Sequence, residues 1–135
     1  MDKKIQLIGL PCSGKSTFLK EYLSKRENIS YLDIRDFSEG TSQKDRTKAF
    51  IKSIKKSRGN IICESACGVN LRCTEVVRLD TPLDKVYNRT EKREGKLDEE
   101  YISLLESCMI PSKYTVKDTE SLERILDKLF EINPE

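Results

Sequence analysis

Residues 5–17 read Ile-Gln-Leu-Ile-Gly-Leu-Pro-Cys-Ser-Gly-Lys-Ser-Thr. Within this stretch Gly9 to Ser16 fits G-x-x-x-x-G-K-[ST], a pattern that gains meaning when a strand precedes it and a helix follows. Both are expected. Ile5 to Ile8 is an apolar run of strand length, and Phe18, Leu19, Tyr22 and Leu23 recur at helical spacing. Gly9 and Gly14 predict a backbone that wraps closely, with dihedrals that side chains would resist. Such a loop turns its N–H groups toward one point. The helix starting near Lys15 adds unpaired N–H groups and the positive end of its dipole, so the whole is a cradle for phosphate. The cradle residues are Gly9, Pro11, Cys12, Ser13, Gly14, Lys15, Ser16 and Thr17. Lys15 is the candidate cation for the β- and γ-phosphates of a nucleoside triphosphate, and Ser16 the candidate hydroxyl for Mg²⁺.

A chain of 135 residues is expected to form one domain with a single core. Charged residues make up 36 % but the formal net charge is only +2, so the overall balance argues neither for nor against nucleic acid. No apolar run approaches the ~20 residues of a membrane span. The start, Met-Asp-Lys-Lys, leads into a short strand, so no export signal and a cytoplasmic location are expected. Cys12, Cys63, Cys67, Cys73 and Cys108 are then expected to be free thiols. Their spacing fits no standard zinc pattern and the chain has no histidine, so no zinc is expected. Cys12, in an anion-binding loop near a helix start, is a candidate for a lowered thiol pKa.

Beyond the loop, the pattern alternates. Residues 28–33 read as a second strand ending at Asp33, followed by a polar segment with a turn at Gly40. Residues 43–57 read as a helix with Thr47, Phe50, Ile51 and Ile54 on its apolar face. Ile61 to Cys63 is a third strand ending at Glu64, and Glu75 to Leu79 a fourth. Between them, residues 65–74 are loop-like with room for a helical turn near Asn70. Thr81-Pro82 signals a helix start, with a capping hydroxyl and a proline at the first helical position. That helix runs from Leu83 to Glu94 and stops at Gly95. A further helix opens at Leu97-Asp98 and ends at Met109, before Pro111. Tyr114 to Val116 is a weak fifth strand. Asp118 or Thr119 caps a last helix with Leu122, Ile125, Leu126, Leu129 and Phe130 as its core stripe, and residues 132–135 should fray. Strands alternating with helices predict a three-layer, doubly wound parallel α/β sheet. Ligand then binds at the carboxyl ends of the strands, which lines up the phosphate loop, Asp33, Glu64 and Asp80.

The phosphate loop does not name a reaction. The Asn-Lys-x-Asp motif by which GTPases read guanine is absent, and the third strand ends Cys63-Glu64-Ser65 rather than in the Asp-Glu of motor-type ATPases. Small phosphotransferases remain. Arg89 and Arg93 lie at i and i+4 on the helix after strand four, so they project from one face. From there they are placed to close over a triphosphate and neutralise the transferred phosphoryl group. In these features the chain resembles the small kinases of the adenylate-kinase-like P-loop group, and most of all the kinase domain of 5′-polynucleotide kinases. The resemblance rests on Gly9 to Thr17, on Tyr31-Leu-Asp-Ile-Arg-Asp-Phe37, on Thr81-Pro82 through Arg89 and Arg93, and on Leu97 to Met109. It implies a P-loop NTPase fold with five parallel strands in the order 2-3-1-4-5. It also implies lid helices over residues 83–109, ATP and Mg²⁺ as cofactors, Asp36 as the base that deprotonates the acceptor hydroxyl, and Arg35 as a substrate contact. The chain departs from the family in Glu64, where aspartate is common. It departs again in the short Ser65–Thr74 connection: about ten residues, where a parallel crossover takes a dozen or more.

Asp33 competes with Asp36 as general base, being nearer the strand end. Glu64 is a candidate for holding a Mg²⁺-bound water, since a strand end rarely carries a carboxylate without reason. Ser65, Gly68 and Arg72 follow it and are candidates to line the acceptor site. Lys44, Arg46, Lys48, Lys52, Lys55, Lys56 and Arg58 stand against a single acid, Asp45, a basic stripe suited to an anionic acceptor such as a nucleic-acid 5′ end. No aromatic ladder accompanies it. The expected activity is transfer of the γ-phosphate of Mg·ATP to a hydroxyl, with a polynucleotide 5′-OH as the leading acceptor. A nucleoside monophosphate, a small metabolite, or a non-catalytic nucleotide-binding regulatory role are the alternatives.

Overall fold

A computed structural model describes residues 3–10, 13–36, 42–65 and 69–132. Pro11, Cys12, Phe37, Gly40, Cys67, Gly68 and the end of the chain from residue 133 lie outside the described residues. Five strands form one sheet: β1 (Lys4–Gly9), β2 (Ile29–Asp33), β3 (Asn60–Glu64), β4 (Glu75–Leu79) and β5 (Tyr114–Val116). The order is β2-β3-β1-β4-β5 and every neighbouring pair is parallel. Five helices join them: α1 (Lys15–Ser24), α2 (Gln43–Lys56), α3 (Leu83–Glu94), α4 (Glu99–Ser107) and α5 (Thr119–Leu129). The expected α/β class, strand order and element positions hold, with shifts of one or two residues at helix ends.

Side-chain alternation along the strands divides the core into two layers. On one face Ile5, Leu7, Ile62, Val77 and Leu79 pack against Phe18, Leu19 and Tyr22 of α1 and Leu122, Leu126 and Leu129 of α5. Tyr22 and Arg26 join these two helices through one carboxylate. The Tyr22 hydroxyl donates to Asp127 Oδ1 (2.8 Å), Arg26 donates Nε to Oδ1 (3.0 Å) and Nη2 to Oδ2 (2.8 Å), and the guanidinium lies 3.8 Å from the Tyr22 ring centre. On the opposite face Ile61 and Cys63 pack against Phe50 and Ile54 of α2 and against Leu71. Leu10, Val86 and Ile102 form a third cluster, which anchors α3 and α4 beside the phosphate loop. Among the described residues no helix is long and apolar enough to cross a membrane.

The β3–β4 connection shows how a short crossover is accommodated. Its described residues, Ser65 and 69–74, form no helix, so the helical turn expected near Asn70 is absent there. Asn70 instead bends the chain, its Oδ1 accepting from the Arg72 N–H at 2.8 Å. Residues 69–73 lie across the sheet face where a helix would otherwise pack, which leaves backbone polar groups buried without helical partners. Gln6, fully buried in the middle of β1, satisfies two of them: its Nε2 donates to the Val69 carbonyl (2.7 Å) and its Oε1 accepts from the Leu71 N–H (3.0 Å). The same path sets Cys73 against Cys63, with their sulfurs 3.0 Å apart.

The start of α3 also differs from expectation. Pro82 is the N-cap residue rather than the first helical residue, and Thr81 does not cap. The Thr81 hydroxyl is turned away from the helix and donates to the Ser13 carbonyl at 2.7 Å. With the N-cap position one residue later, the hydroxyl is not needed as an acceptor for helix N–H groups and instead supplies the donor that the buried Ser13 carbonyl requires. Gly95, Asp98 and Asp118 terminate or cap their helices as expected, Gly95 with φ 75°.

Candidate active site

The described part of the phosphate loop is built from the end of β1 and the first turn of α1. Ser13 N–H donates to the Leu10 carbonyl (3.2 Å), which draws these two parts together. Gly14, at φ 100°, stands immediately before α1 in a conformation that L side chains resist. Gly9 is needed for space rather than for unusual dihedrals. A Cβ there would lie 2.9 Å from the Leu79 carbonyl oxygen, 3.1 Å from Lys15 Cδ and 3.2 Å from Ser13 Oγ. The Lys15 and Ser13 side chains and the Leu79 carbonyl therefore all lie close to Gly9. Ser13 Oγ is buried and has no hydrogen-bond partner among the described residues, and Ser16 and Thr17 are exposed on the first turn of α1.

Arg89, from the middle of α3, reaches this loop. Its Nη1 donates to the Ser13 carbonyl at 3.0 Å, and a Cβ on Gly14 would lie 3.2 Å from the same nitrogen. Thr81 and Arg89 thus share one carbonyl and tie α3 to the loop at two points. Arg93, one turn further along, is exposed, with Nε 3.6 Å from Glu94 Oε1.

Across the sheet, the carboxyl ends of β2 and β3 bring Asp33 and Glu64 into register. Both are buried, and the Tyr31 hydroxyl lies between them, 2.9 Å from Asp33 Oδ2 and 2.8 Å from Glu64 Oε2. Arg35 wraps Asp33: its N–H donates to Oδ1 (2.9 Å), and its Nε (3.0 Å) and Nη2 (2.6 Å) donate to Oδ2. Burial alone would raise the Asp33 pKa. The Arg35 guanidinium and N–H and the Tyr31 hydroxyl outweigh it and hold the carboxyl below the usual range. Tyr31 is driven the other way by burial and by Glu64, so it stays a protonated donor. Glu64 keeps one oxygen, Oε1, buried and without a partner among the described residues.

Asp36 closes the 3₁₀ turn Ile34–Asp36 that follows β2. It is exposed and makes no side-chain hydrogen bond or ion pair among the described residues. Arg46 Nη2 donates to the Ile34 carbonyl (2.6 Å) and pins the amino-terminal part of α2 to that turn. Arg72 is not brought to this edge. It is exposed, at φ 57°, between Leu71 and Cys73 in the segment leading to the amino end of β4. The structure therefore assembles Gly9, Ser13, Gly14, Lys15, Ser16, Thr17 and Arg89 at one station, and Tyr31, Asp33, Arg35 and Glu64 at another on the same sheet edge.

Two residues of this arrangement carried weak sequence signals. Tyr31 looked like an ordinary strand aromatic, and its role depends on a carboxylate 33 positions away. Thr81 looked like a helix cap. Gln6 was the more legible one, a polar residue inside an apolar run.

No family model and no curated protein matches the chain. Solved structures do. The fold is that of the small P-loop kinases. A gluconokinase from Sinorhizobium meliloti superposes with a TM-score of 0.68 at 12 % identity, over 96 % of this chain and 91 % of that one. A shikimate kinase from Bacteroides thetaiotaomicron gives 0.62 at 17 % identity, over 96 % and 99 %. A tunicamycin resistance protein from Deinococcus radiodurans gives 0.65 at 12 % identity, over the full length of both.

Proposed function

We propose that the protein is an ATP-dependent phosphotransferase that moves the γ-phosphoryl group to the hydroxyl of a small anionic acceptor. The observation that carries this reading is the pairing of two stations on one sheet edge: a phosphate loop already touched by Arg89, and a carboxylate cluster at the ends of β2 and β3. The solved structures with this fold include enzymes named for small hydroxylated acceptors, which favours a metabolite over a polynucleotide.

Lys15 and the loop N–H groups would bind the β- and γ-phosphates, with Arg89 and then Arg93 neutralising charge that grows on the transferred group. The donors of Mg²⁺ fit the chain. Glu64 Oε1 is a buried carboxylate oxygen lacking a partner among the described residues, suited to a metal-bound water, and the Ser16 hydroxyl stands at the loop. Bound there, Mg²⁺ would offset phosphate charge. Asp36 suits the general base better than Asp33, because its carboxylate is exposed while Asp33 already accepts three hydrogen bonds from Arg35 and shares the Tyr31 hydroxyl with Glu64. Asp33 instead orients Arg35, whose exposed guanidinium would be available to an anionic acceptor.

A polynucleotide 5′-OH is a second reading, favoured by the exposed lysines of α2 and by the Arg46 contact that joins that helix to the Arg35–Asp36 turn. Labelled ATP offered with small polyol acids, nucleoside monophosphates and 5′-OH oligonucleotides separates these. Label on a small hydroxy acid is the expected result, with Lys15→Ala lowering transfer by at least about 10²-fold and Asp36→Asn by about 10²–10⁴-fold. ATP binding without transfer to any acceptor, unaffected by Asp36→Asn, would move the protein to a nucleotide-sensing role.

A further inference from the structure

The two cysteines that meet beneath the sheet edge lie outside the phosphotransfer residues. Cys63 is the penultimate residue of β3, fully buried, immediately before Glu64. Cys73 lies two residues before β4 begins and is partly exposed. Their sulfurs are 3.0 Å apart, so an approach of about 1 Å brings them to disulfide length. They meet because residues 69–73 of the short β3–β4 connection are laid on the sheet face, held there by Gln6.

We propose that Cys63 and Cys73 are a reversible dithiol modification site, oxidised by low-molecular-weight disulfides of the glutathione class to a bond that closes the 63–73 segment. The chemistry balances in two exchanges. The Cys73 thiolate, on the accessible side, attacks one sulfur of oxidised glutathione, forming a mixed disulfide and releasing one glutathione thiolate. The Cys63 sulfur then attacks the Cys73 sulfur, and the second glutathione leaves with the Cys63 proton. Two thiols are oxidised and one glutathione disulfide is reduced. Cys63 cannot react first, because no solvent reaches it. The ring formed contains Glu64, so oxidation restrains the segment that follows the carboxylate cluster.

The wild-type protein serves for the test. It is equilibrated in glutathione buffers of increasing oxidised fraction, quenched with acid, alkylated, and digested with trypsin and a glutamate-specific protease. Cleavage at Arg58, Glu64, Arg72 and Glu75 puts Cys63, Cys67 and Cys73 in separate peptides, 59–64, 65–72 and 73–75. The expected product is peptide 59–64 joined to 73–75, lost on adding dithiothreitol. It should predominate at a ratio that also places glutathione on exposed Cys108. In Cys73→Ser, Cys63 should remain unmodified under the same conditions. The proposal is overturned if Cys63 and Cys73 are recovered singly alkylated while Cys108 carries glutathione, or if 73–75 is joined to 65–72 instead. None of these readouts involves ATP or an acceptor, so the outcome is independent of the proposed activity.

Discussion

Asp33 shows how a single carboxylate is committed by its neighbours. Four donors converge on it, and its pKa falls despite burial. A folded-state pKa below the unfolded value means stability that is present above about pH 4 and lost as pH falls through the depressed value. Acid unfolding of the wild type should therefore draw on Asp33, and Asp33→Asn should flatten the dependence of the melting temperature on pH below about 4 while lowering stability at neutrality. Melting curves of both proteins from neutral to strongly acidic pH measure this. Equal acid sensitivity of the two proteins would remove Asp33 from the account. Gly9 and Gly14 make a related point about residue choice. Each is required at the loop for a different reason, one for the approach of Leu79 and the other for a positive φ.

The elements that matter most are those that substitute for something missing. Residues 69–74 run to β4 without a helix, and β1 compensates with Gln6. Gln6→Leu keeps the volume but strands the Val69 carbonyl and the Leu71 N–H in an apolar layer. The cost should be roughly 2–4 kcal/mol in chemical denaturation, since each unpaired buried backbone group costs about 1–3 kcal/mol. A loss under 1 kcal/mol would mean that the segment finds other partners. Helix α3 is the second such element. It is attached to the phosphate loop through Thr81 and Arg89, and Val86 packs it against Leu10 and against Ile102 of α4.

For the whole molecule, ligand binding should act as a staple between parts that the bare chain joins lightly. A nucleotide held by the loop, Arg89 and Arg93 would couple α3 to β1 and α1. At about 100 times its dissociation constant, a ligand specific for the folded state adds about 2.7 kcal/mol. A non-hydrolysable ATP analogue should raise the melting temperature of the wild type by a few degrees and that of Lys15→Ala far less. An equal shift in both would place the nucleotide elsewhere.

Periodicity and punctuation in the sequence determined the α/β class, the position of all five strands, the helix ends at Gly95 and Asp118, and the phosphate loop. These are local decisions, made by side-chain alternation and by the backbone needs of glycine and of capping groups, and the chain carries them in short windows. The strand order also came out as the resemblance implied. The acceptor half was less legible. Asp33 and Asp36 were both candidate bases in the sequence, one by its place at the strand end and the other by resemblance; the fold closes Arg35 and Tyr31 on Asp33 and leaves Asp36 exposed. Thr81 changed from a cap to a tie for Ser13, Gln6 from a strand residue to the partner of a buried loop, and Cys73 from a spare thiol to a contact of Cys63. In each case the deciding partner is distant in sequence, and hydrogen bonds go to whichever buried group most needs them, which is known only once the chain is packed.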